Sequence, residues 1–129
     1  LLIAIAAISL LVGGVGIMNI MYVAVTERTA EIGLKKAVGA KPSVILLEFL
    51  TETIILTMGG GILGIGFGAG ISYLISVIAQ SLNFAWKFKV PMLSIVLGLG
   101  VAAIIGLVFG VFPARRASKL DPIEALRYE

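Results

Sequence analysis

The stretch TERTAEIGLKKAVG, residues 26–39, places Glu27, Arg28, Glu31, Lys35 and Lys36 between two apolar runs of hydrocarbon length. Charge of this density is costly inside a bilayer, so the segment must sit in water beside the membrane. There it can be gripped by something soluble. The pattern predicts a membrane subunit coupled to a cytoplasmic partner rather than a self-contained enzyme.

Composition points the same way. Of 129 residues, 60% are hydrophobic and only 13% charged, and the mean hydropathy is +1.15. Globular domains carry about a quarter charged residues, so the chain reads as a membrane protein. The 16 glycines fit, because glycine is commoner in membrane-spanning helices than in soluble ones. With no Cys and no His, disulfides, thiolate or imidazole metal sites and His-assisted nucleophiles are excluded. No metal site, no catalytic residue and no nucleic-acid partner is expected. The net charge of +3 is read by where it lies, since Lys and Arg positions report topology.

Crossing a core of about 30 Å takes about 20 apolar residues in a helix. Three segments qualify: residues 1–25, 54–79 and 92–112, none with a charged side chain. Arg28, Lys35, Lys36 and Lys41 lie between the first two spans, and Arg115, Arg116, Lys119 and Arg127 follow the third. The remaining loop, 80–91, has only Lys87 and Lys89. This imbalance puts residues 26–53 and the tail, 113–129, in the cytoplasm, and 80–91 outside. The expected fold is all-α: three transmembrane helices, a cytoplasmic coupling helix and a short C-terminal cytoplasmic helix. Phe84, Trp86 and Phe88 suit an interfacial aromatic belt. Residue 1 is Leu, with no basic leader before it, so the chain is expected to be the C-terminal piece of a longer protein.

Glycine spacing bears on packing. Gly60, Gly64 and Gly68 fall four apart on the second span, and Gly106 and Gly110 do so on the third. Small residues at this interval let helix backbones approach closely, within this chain or with another; a hinge is the alternative reading. Asn19, about two turns before the end of the first span, is expected to hydrogen-bond between helices.

The polar segments carry helix signals of their own. No proline interrupts residues 22–38, so the first helix is predicted to run on into water. Glu31 and Lys35 form a favourable i,i+4 pair, and Gly39 can supply the left-handed turn that ends the helix. Pro42 suits the first position of the next helix. Glu48 and Glu52 leave a polar stripe on that helix, to which Arg115 and Arg116 could pair. In the tail, Asp121, Pro122 and Glu124 approximate a capping box that opens a short helix. Arg115, Arg116 and Lys119 can also meet anionic headgroups.

Residues 26–40, TERTAEIGLKKAVGA, resemble the cytoplasmic loop of FtsX-like permeases, particularly the MacB-type ABC transporter permease. The tail PARRASKLDPIEALRYE, residues 113–129, resembles that family's C-terminal signature, and LVGGVGIMNIM, residues 11–21, its second spanning helix. The resemblance implies a four-helix permease of the prokaryotic cytoplasmic membrane, with the last three helices present here and the C-terminus cytoplasmic. It implies a homodimer or pseudo-symmetric heterodimer working with an ATP-binding cassette ATPase, fused or separate, which holds ATP and Mg²⁺. Glu27, Arg28, Glu31, Gly33, Lys35, Lys36 and Gly39 match the family's ATPase-coupling segment. Pro113, Arg115, Arg116, Asp121, Pro122, Ala125 and Leu126 match its tail motif. No phosphate-binding G-x-x-x-x-G-K-[ST] loop is present, so ATP hydrolysis must come from elsewhere. The expected function is transmission of ATP-driven motion, with a continuous first helix as lever. The alternative is a self-associating glycine-rich bundle or pore without an ATPase.

Overall fold

Uncharged apolar runs without internal proline leave the backbone one economical way to satisfy its own polar groups, and each forms a long helix. The computed structural model describes residues 1–127, with backbone alone at 126 and 127. It contains α1 (Leu2–Glu27), α2 (Thr29–Ala37), α3 (Pro42–Ser81), α4 (Met92–Ser118) and α5 (Pro122–Arg127). Helices α1, α3 and α4 are long and apolar enough to cross a membrane. The protein is a multi-pass, all-α membrane protein.

The first helix does not run unbroken into the polar segment. It ends at Glu27, and Arg28 takes φ −98° and ψ 15° before α2 begins. Two threonines account for the break. The Thr26 hydroxyl donates to the Val23 carbonyl at 2.7 Å, and the Thr29 hydroxyl reaches the carbonyls of Val25 and Thr26 at 3.0 and 2.8 Å. Such side-chain bonds compete with the helical ladder and bend or interrupt it. Helix α3, in contrast, is continuous for 40 residues. That is about 60 Å, twice the hydrocarbon thickness, so its first three turns project beyond the apolar span. Helix α4 also runs beyond residue 112, through buried Pro113 to Ser118. Proline removes one backbone donor there, and Ala114 and Ala117, both fully buried, hold the extra turns in place.

Helix α4 is the middle of the bundle. It packs along both α1 and α3, which scarcely touch one another. The α3–α4 contact is a run of four pairs in antiparallel register: Thr53 with Gly110, Thr57 with Gly106, Gly61 with Ala102, and Ile65 with Gly98. A Cβ built on Gly110 would stand 2.8 Å from the Thr53 methyl, and one on Gly106 would collide with the Thr57 hydroxyl. On the other side of α4, a Cβ on Gly14 would strike the Phe109 ring. Gly60, Gly64 and Gly68 face open space instead. Their shared face adjoins the packed one, set by Thr53, Thr57, Gly61 and Ile65, and is rotated too far from it for these glycines to touch α4. Asn19 is likewise exposed on α1, opposite the face that meets α4, so it does not make the expected interhelical bond among the described residues.

At the end remote from the charged segment, α3 closes with Asn83 in the left-handed conformation, φ 63°. Phe84 N–H bonds the Ala79 carbonyl at 2.9 Å and Asn83 N–H that of Gln80 at 3.0 Å, the paired bonds that satisfy a helix C-terminus. The chain then folds back along α3. Ser76 and Gln80 donate to the Trp86 carbonyl at 3.2 and 2.9 Å, and Phe88 meets Tyr73 edge-on with 5.6 Å between ring centres. Phe84, Trp86 and Phe88 stay exposed.

Candidate functional site

The charged segment folds as a small polar-end assembly rather than a loop. Helix α2 turns Ile32 and Gly33 inward, where both are buried. Ile32 joins Met21, Val25, Ile45, Phe49, Ala114 and Ala117 in the hydrophobic core. That core gathers residues of α1, α2, α3 and α4 at one end of the bundle. Helix α5 packs on α2 through buried Ala125.

Ion pairs fasten α2 to the projecting turns of α3. Arg28 reaches Glu52 at 3.2 Å, and Lys35 reaches Glu48 at 2.7 Å and Glu31 at 3.0 Å. The Glu48 hydrogen bond, with that of Glu31, raises the Lys35 pKa above its ordinary value, while the Lys35 hydrogen bond and charge lower that of Glu31. Both groups are solvent-accessible, so the pairs add little to stability, and the clamp acts by geometry more than by strength. Lys36 turns the other way and donates to the Leu120 carbonyl at 2.5 Å, tying α2 to the linker before α5. Gly39, at φ 97°, ends α2: its N–H bonds the Lys36 carbonyl and that of Ala40 the Lys35 carbonyl. The positive φ is the glycine's reason to be there.

The stripe of Glu48 and Glu52 is therefore taken by Arg28 and Lys35, and the pairing expected with Arg115 and Arg116 does not form. Both arginines are directed elsewhere. The Arg116 guanidinium lies over the Tyr22 ring, 5.6 Å from its centre, and Arg115 is exposed. Pro113 is buried within α4. Asp121 accepts the Ile123 N–H at 2.8 Å as N-cap of α5, with Pro122 in the first turn. The Leu126 side chain, with Tyr128 and Glu129, lies outside the described residues.

The outward ridge of α2 comprises Ala30, Glu31, Leu34 and Ala37, continued by Val38 at its C-cap, all exposed, with Glu27 exposed at the end of α1. Leu34 and Val38 are large apolar side chains, 59% and 80% exposed. They belong to no core, and sequence reading of the charged residues passed them by. Their i, i+4 spacing on an otherwise polar helix was the available signal. Beside the ridge, Glu27, Thr29, Arg116 and Glu124 line a crevice of about 390 Å³ between α1, α2, α5 and the end of α4. Chemically, this end presents an exposed face of mixed apolar and acidic character on a helix fixed from behind.

Residues 3–122 match the model of the FtsX-like permease C-terminal domain. The chain belongs to the FtsX-like permease family. Among curated FtsX-like relatives, it is 57% identical over all of its 129 residues to the macrolide export ATP-binding/permease protein MacB of Bdellovibrio bacteriovorus, covering 19% of that protein. It is 51% identical over 126 residues to the uncharacterized ABC transporter permease YknZ of Bacillus subtilis, covering 98% of the chain and 30% of the relative. The probable syringafactin export ATP-binding/permease protein SyfD of Pseudomonas syringae pv. tomato is 48% identical over 126 residues, 98% of the chain and 18% of that relative. The chain thus spans less than a third of the length of each of these relatives.

Proposed function

We propose that the chain is the membrane-spanning permease part of an ABC transporter, and that it transmits ATP-driven motion without catalysing a reaction itself. A cassette ATPase, holding ATP and Mg²⁺, docks on the α2 ridge from the cytoplasm, with Leu34 and Val38 as apolar anchors and Glu27 and Glu31 as charged flanks. Two permease copies, alike or related, flank each ATPase pair. The names of the relatives and the amphipathic build of α2 support this reading.

The route of the motion differs from a simple extension of α1. The interruption at Arg28 makes α1 a poor lever, because α1 and α2 share few contacts. The motion passes instead from α2 through Lys35–Glu48 and Arg28–Glu52 into α3, and through Lys36–Leu120 and α5 into α4. The observation that carries this reading is the double fastening of α2 to α3 and to the α4–α5 linker.

The test uses the full-length protein with its ATPase in lipid nanodiscs. Leu34→Asp with Val38→Asp is expected to abolish ATPase association. Lys35→Glu is expected to preserve association and lower stimulated ATP turnover. Association and turnover both unchanged in the two variants would overturn the assignment, as would labelling from outside intact cells of a cysteine placed at position 35.

A further inference from the structure

Three cations stand at the polar end of α4, and the structure separates their roles. Arg116 is turned over Tyr22. Arg115 and Lys119 are exposed and make no ion pair among the described residues. They also continue a pattern. Ile104, Val108 and Phe112 are exposed on α4 at 60%, 49% and 57%, and with Arg115 and Lys119 they recur at intervals of four, four, three and four. On a helix these five positions fall within about 80° of arc, one narrow stripe. The stripe faces neither neighbour, because Gly106 and Gly110 face α3 and Phe109 meets Gly14 of α1.

We infer that Arg115 and Lys119 form a binding site for the phosphate headgroup of an anionic phospholipid whose acyl chains lie along Ile104, Val108 and Phe112. Depth supports this. Arg115 and Lys119 lie about 4.5 and 10.5 Å along the axis from Phe112. The headgroup layer occupies about 5–7 Å beyond each face of the hydrocarbon. With Phe112 at the end of the apolar span, Arg115 stands within that layer and Lys119 just beyond it, so a phosphate at its outer edge lies between them, above the chains the stripe would hold. Charge complementarity then selects an anionic over a zwitterionic lipid. The site stands apart from the α2 ridge and needs no ATPase.

The full chain is reconstituted in phosphatidylcholine vesicles with Trp86→Phe and Phe112→Trp, so that the reporter sits at the proposed site. Quenching is compared for brominated phosphatidylglycerol and brominated phosphatidylcholine at equal mole fraction. The expected result is an enrichment of the anionic lipid of about tenfold or more at position 112. Arg115→Gln with Lys119→Gln is expected to remove it. Lys41→Gln, which removes another exposed cation of the polar end, leaves it intact, and the charge-preserving exchange Arg115→Lys with Lys119→Arg retains it. Equal quenching by both lipids would overturn the proposal, as would a preference that survives loss of both charges or disappears in the charge-preserving exchange.

Discussion

Lys35 sits 2.7 Å from Glu48, thirteen residues away, while holding Glu31 of its own helix at 3.0 Å. One ammonium thus joins the charged helix to the long span. Because all three groups meet solvent, Lys35→Gln should lower stability by no more than about 1 kcal/mol. Lys35→Glu should weaken the α2–α3 contact further, and Glu48→Lys in the same chain should restore it. A double-mutant cycle on thermal unfolding checks this coupling; additive effects would contradict it.

The same cluster sets a pH window. The Lys35 pKa is raised from 10.5, so its contribution is complete below that value and lost as pH rises through the folded one. The Glu31 pKa is lowered from 4.5, so its contribution is present above that value and lost as pH falls through the folded one. Cross-linking between cysteines placed on α2 and on the first turns of α3 should be steady across the neutral range and become less specific at both extremes. A trend confined to neutral pH would point to other groups.

Packing across α3 and α4 gives a directional prediction. Gly106→Val and Gly110→Val force a branched side chain against Thr57 and Thr53, and each should cost about 1–3 kcal/mol. Gly64→Val meets nothing in this chain and should leave its unfolding temperature in detergent unchanged. Thr57→Gly should recover much of the loss in Gly106→Val. Equal damage at positions 64 and 106 would refute the register described.

The short tail helix depends on its cap. Asp121→Ala removes the acceptor of the Ile123 N–H and should cost about 1 kcal/mol locally. A six-residue helix is marginal by itself, so this loss should undock it from α2. Hydrogen exchange should quicken at Ala125 and, across the interface, at Ile32.

Much of this architecture is legible in the sequence for simple physical reasons. Three uncharged runs dictate three long helices, Gly39 announces its left-handed turn, and Asp121-Pro122 its cap. What escaped reading depends on rotation and distance. Four-residue spacing identifies Gly60, Gly64 and Gly68 as one face, but Thr53, Thr57 and Gly61 form a second small-residue series at the same interval, and spacing alone does not say which of the two meets α4. The end of α1 was equally hidden. No proline or glycine marks Arg28, and the break comes from hydroxyls of Thr26 and Thr29 bonding backwards. Glu48 and Glu52 were visible as a stripe, yet their partners depend on how α2 folds back, which no local pattern states.

Since α1 and α3 meet chiefly through α4, the two earlier spans have almost no surface in common until the final one is made. Until α4 is made, the contacts described here leave α1 and α3 as nearly separate rods. A product that stops before Met92 would lack the surface on which both pack, so among the spans described here the pairing of α1 with α3 is decided by α4.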